Sequence, residues 1–243
     1  MANPILNDNF GTTQSTDRVI VGETMSVSGT IDKTFLMFLC AMIPAAYTWN
    51  QFTLGFTDKV SMLMMIGLIA GFIFAMVSAF TRNKIFMTLY AVCEGLFLGG
   101  ISAIFNQAYP GIVIQAVLAT FAAMLSMLGL YKFNIIKCTD KFRSVIYIST
   151  ISIAVLYLFQ WIASFFHYSI PAIFGNGSIG IGFSIIVVGI AALNLILDFD
   201  FIEKGVQNML PKDFEWYGAF GLMVTLVWLY LEILRLLAKL RDR

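Results

Sequence analysis

The sequence predicts an all-α, polytopic membrane protein with seven transmembrane helices. Three observations carry this expectation. Apolar residues fill 59% of the 243 positions and charged residues only 12%, about half the roughly 25% usual in soluble domains. Mean hydropathy is +0.85. Apolar stretches suited to the roughly 20 residues that a helix needs to cross a bilayer recur along the whole chain.

In order, the stretches are Phe35–Tyr47 with its flanks, Val60–Phe80, Ile85–Phe105, Ile112–Tyr131, Val145–Phe166, Ile179–Leu197 and Tyr217–Leu237. The first is the shortest and contains Pro44, a natural place for a kink. The longest connections, Lys132–Ser144, His167–Ser178 and Asp198–Trp216, leave no room for a soluble domain. Residues 1–30 read as a flexible, polar, Ser/Thr/Gly-rich tail, without the basic and apolar regions of a signal peptide. Residues 31–243 form one transmembrane bundle.

Lysine and arginine counts predict the orientation. Ten of them (Arg18, Lys33, Arg82, Lys84, Lys132, Lys137, Lys141, Arg143, Lys204 and Lys212) fall on the tail and the even-numbered connections, against Lys59 alone on the odd ones. The N-terminus is therefore expected in the cytoplasm and the C-terminus outside, although Arg235, Lys239, Arg241 and Arg243 oppose the latter. Six spans with a re-entrant last segment are the alternative topology.

Several function classes drop out. A net charge of +1 gives no electrostatic footprint for nucleic acid. Cys40, Cys93 and Cys138 have no CxxC spacing and His167 is the only histidine, so neither a metal site nor a cofactor is expected. The last span lacks the central lysine of a retinal protein. Gly182-Phe183-Ser184 is only a fragment of a nucleophile motif, and His167 lies in a loop, so an intramembrane serine protease is not supported. No catalytic residue is assigned and no enzyme is expected.

The candidate positions are carboxylates. Ala191–Glu203 is an apolar run that ends in Asp198, Asp200 and Glu203, and carboxylates at the hydrocarbon edge are costly unless they meet water, a cation or a basic partner. Ser184, Ala191 and Asp198 recur every seven residues and so share a helix face. If the helix continues, Asp200 lies about 200° round from Asp198 and cannot share its site. Asp198 reads as the end of the sixth span, and Asp200 and Glu203 read as a solvated loop. Arg82, ending the second span on the same side, is expected to pair with Asp198 as a pH latch that protonation opens. Glu94 reads as the one ionisable residue well inside a span, roughly 14 Å deep. It is either an ion-path carboxylate or a neutral side chain bonded to a neighbouring backbone. Gly95 and Gly99 have the small-xxx-small spacing of close helix packing.

The stretch Glu94-Gly-Leu-Phe-Leu-Gly-Gly-Ile-Ser102 resembles the EGLxLG motif of the transmembrane Bax inhibitor motif family. Ala191–Glu203 resembles that family's sixth-helix end, and Glu215-Trp-Tyr-Gly-Ala-Phe-Gly through Leu-Glu-Ile-Leu-Arg235 resembles its last helix in a bacterial branch. The resemblance spans roughly residues 29–243. It implies seven helices with the last one central, residence in a bacterial inner membrane, and a pH-sensitive calcium leak. Asp198 matches the first aspartate of the family's two-aspartate sensor. The second is missing, since its place falls near Thr225 or Trp228. Arg82, Asp200 or Glu215 are then the expected partners of Asp198. Two functions stand: a cation leak for calcium gated by protons, or a non-conducting protein that restrains another membrane protein, such as a protease, through Gly95 and Gly99.

Overall fold

The computed structural model describes residues 23–166 and 170–242. The expected spans are all present as long helices: α1 (Val27–Thr53), α2 (Thr57–Thr81), α3 (Lys84–Ala108), α4 (Ile112–Lys132), α5 (Asp140–Ser164), α7 (Ser178–Gln207) and α8 (Phe214–Arg241). A single-turn helix, α6 (Pro171–Phe174), precedes α7. His167 and residues 1–22 lie outside the described residues. The boundary expected at residue 30 falls inside α1, which starts at Val27.

Local chemistry fixes the helix ends. Ser26 caps α1 by accepting from Gly29 N, and Thr139 caps α5 by accepting from Phe142 N; each satisfies an N–H with no partner inside its helix. Gly55, at φ +83°, turns α1 into α2, and Gly111, at φ +81°, opens α4. Both lie where a side chain would be strained. Arg82 ends α2 in the left-handed region and Asn83 caps α3, so two residues join antiparallel neighbours. Pro44 sits inside α1, which continues through it, and Thr48 Oγ1 donates to the Pro44 carbonyl. α8 is one continuous helix of 28 residues, long enough to cross a bilayer rather than turn back within it.

α8 packs against α1, α3, α4 and α7, while α2 leans on α3 and α5 on α7. In the most apolar window of α8, 61% of residues are buried, against 11% for α5. One apolar cluster joins α8 to α4 and α7 through Ala116, Leu195, Leu226 and Leu229; the other joins it to α1 and α3 through Met37, Met87, Ala219 and Met223. Large apolar side chains such as Ile43, Phe72, Ile148 and Ile186 point outward, as bilayer contact requires.

Lipid tails are as apolar as leucine, so close packing, rather than hydrophobic burial, must hold the helices together. Gly95 and Gly99 supply it for α3. A Cβ at Gly95 would overlap the Ala41 carbonyl and sit 2.8 Å from Pro44 Cγ, and one at Gly99 would lie 2.7 Å from Ala45 Cα. The backbone of α1 covers both glycines, so they are not a surface for another protein.

Candidate ion-path site

Asp198 does not end its helix. α7 runs on to Gln207, which puts Asp198 nine residues, roughly 13 Å, inside. The helix continues because the next carboxylates have partners. Asp200 accepts from Arg143 Nη2 at 2.7 Å and Lys204 Nζ at 2.9 Å, and Glu203 accepts from the Tyr131 hydroxyl and from Gln207 Nε2. The expected loop over Asp200 and Glu203 is therefore helix, and the connection shrinks to the residues between Gln207 and Phe214. Asp200 faces α5, away from Asp198, as their angular separation requires.

Asp198 faces α8. A Cβ at Gly221 would lie 3.5 Å from its Oδ1, and its carboxyl approaches the Thr225 hydroxyl. Its Oδ2 is buried without a hydrogen-bond partner; among the described residues only Ser78 Oγ shares that condition. Thr225 thus stands where a second aspartate was sought.

The expected pairing of Arg82 with Asp198 is not formed. The Arg82 guanidinium lies over the rings of Phe214 and Tyr217, 5.2 and 5.9 Å from their centroids. It sits at the start of α8, whereas Asp198 is sealed farther along it, and aromatic faces at the rim suit a guanidinium that keeps water. Glu215 is no partner for Asp198 either. It is 1% exposed and binds Ser26 N and Oγ, both at 2.9 Å, together with the Lys33 ammonium. Glu215 therefore clamps the start of α1 onto α8.

The row expected on α7 is real, and its neighbours on α8 are charged. Lys239 Nζ donates to Ser184 Oγ at 2.9 Å and to the Gly180 carbonyl at 3.1 Å. Glu232, 1% exposed, accepts from Tyr157 Oη at 2.9 Å, Arg235 Nη1 at 3.0 Å and Trp228 Nε1 at 3.3 Å. Asn194 Nδ2 donates to Thr150 Oγ1 at 2.9 Å. Thr225, Glu232 and Lys239 are spaced by seven on α8, about 10 Å per step. Running antiparallel, α7 and α8 thus hold a polar seam from Asp198, past Glu232, to Lys239.

Glu94 is consequently not the only ionisable residue inside a span. The sequence does carry a signal for the others: Glu232, Arg235 and Lys239 interrupt an apolar helix at spacings of three and four, which stack on one face. Glu94 lies against α2, where a Cβ at Gly71 would be 3.5 Å from its Oε2, and it has no hydrogen-bonding partner among the described residues. Replacing it strands no donor. Glu94→Gln and Glu94→Ala should therefore melt within about 1 kcal/mol of each other in detergent, the scale of one net hydrogen bond. A much larger loss for the alanine variant would reveal a partner.

Among the described residues, no three His, Cys, Asp or Glu side chains converge on a point. Compared with known families, the chain is matched over residues 3–242 by the family described as Bax inhibitor 1 like. No curated protein matches it.

Proposed function

Because this chain belongs to the Bax inhibitor 1 like family, we propose that it is a pH-sensitive cation leak, with calcium as cargo and Asp198 as the gate. The observation behind this is the unpartnered Asp198 Oδ2 sealed between α7 and α8. An ionised carboxylate cannot stay dry and unpaired without large cost. Charge on Asp198 therefore comes with water in the seam, and a hydrated carboxylate attracts cations. The leak then rises with pH. The Arg82 latch would have worked in the opposite sense, since protonation would have released it.

Beyond Asp198, a cation meets Glu232, already neutralised by Arg235, and then the Lys239 ammonium. That repulsive far end limits throughput, which suits a leak better than a fast channel. On the lysine and arginine bias the Asp198 end faces the cytoplasm, and the sequence resemblance to a bacterial branch of the family suggests an inner membrane. The second reading, restraint of another membrane protein, has lost its assigned surface, because α1 covers Gly95 and Gly99.

Purified protein in liposomes loaded with a calcium dye provides the test. Protein-containing vesicles should leak faster than empty ones, and faster at pH 8 than at pH 6. Equal rates with and without protein at both pH values would exclude a leak and favour the non-conducting role.

A further inference from the structure

α1 and α4 both pack on α8, but their backbones do not approach each other closely. The crevice between them holds two cavities. The narrower, about 460 Å³, is walled by apolar residues including Ala46 and Val117; the wider, about 820 Å³, opens beside Lys132, Asn134 and Lys137. Phe38 and Phe121 line both, so the two adjoin at these rings. We propose that this crevice binds an anionic phospholipid, with its phosphate at Lys132 and Lys137 and one acyl chain running toward Phe121.

The dimensions agree. Phe121 to Lys132 is eleven residues of helix, about 16 Å, close to one leaflet of a hydrocarbon core roughly 30 Å thick. Lys132 ends α4 and Lys137 follows in the loop before α5, where a headgroup would lie. The charge also agrees. Asp200 and Glu203 line the wider cavity too, but Asp200 is bound by two cations, Arg143 and Lys204, whose excess positive charge offsets the negative charge of Glu203, held by the neutral Tyr131 and Gln207. Lys132 and Lys137 form no ion pair among the described residues, leaving two free positive charges at the mouth. An anionic headgroup is what that mouth recognises, and a bilayer supplies it directly.

Protein reconstituted in an equal mixture of phosphatidylglycerol and phosphatidylcholine is stripped with detergent, and the retained lipid is read by native mass spectrometry. The wild type should retain phosphatidylglycerol over phosphatidylcholine by about tenfold or more, from two lysines near a lipid surface. Lys132→Ala with Lys137→Ala should still retain lipid but lose the preference. Val117→Trp, on the exposed side of α4, should fill the narrow cavity and lose retained lipid while melting like the wild type. No retained lipid in the wild type, or a ratio equal to the bulk mixture, would overturn the proposal. So would a dimer that Val117→Trp dissociates, which would mean that a second copy fills the crevice.

Discussion

Gly99→Val is expected to unfold the α1–α3 contact and to destabilise the protein by about 3 kcal/mol, the upper part of the range for overpacking. The obstacle is backbone, since the new Cβ would lie 2.7 Å from Ala45 Cα, and a backbone cannot rotate aside as a flexible side chain can. α1 must move outward, giving up the close approach that holds helices together in lipid. Gly182→Ala and Gly129→Ala are the controls. Both glycines lie within helices, and a Cβ at either would meet nothing within 4 Å, so alanine there should be neutral or stabilising by roughly 0.5–1 kcal/mol. Thermal unfolding in one detergent compares all three; equal melting of Gly99→Val and Gly182→Ala would show that the α1–α3 approach contributes no stability.

Arg235→Ala should cost more than Glu232→Ala, although both break the same pair. Glu232 is buried, whereas the Arg235 side chain is 44% exposed. Removing the arginine strands a buried carboxylate with only Tyr157 and Trp228 as donors. Removing the glutamate leaves an arginine that can reach water. Breaking a fully buried pair costs roughly 3–5 kcal/mol, and the exposure of Arg235 reduces this to about 2–3 kcal/mol for Arg235→Ala. Adding Glu232→Gln to Arg235→Ala should recover much of the loss, because glutamine carries no charge to strand. Additive losses in the double variant would mean that the two side chains act independently.

The spans were legible because a bilayer imposes a length and a polarity that seven stretches meet. Their ends were less so. A run of three carboxylates looks like the place where a helix meets water, yet Asp200 is neutralised by Lys204 one turn on and by Arg143 from α5. Only the first partner is local, and the second depends on how two helices come together. The seven-residue row of Ser184, Ala191 and Asp198 could be read from one helix; the residues facing it, Thr225, Glu232 and Lys239, required the antiparallel register of α7 and α8. Arg82 was misplaced for the same reason. A cation at a helix end can meet a carboxylate or an aromatic face, and only the fold brings Phe214 and Tyr217 beneath it.

Asp198→Asn carries the central claim. Asparagine keeps the size of the side chain and removes the charge that draws water into the seam, so calcium flux into liposomes should fall toward that of empty vesicles and no longer change between pH 6 and pH 8. If Asp198→Asn conducts like the wild type with the same pH profile, or leaks more, Asp198 is not the gate described here.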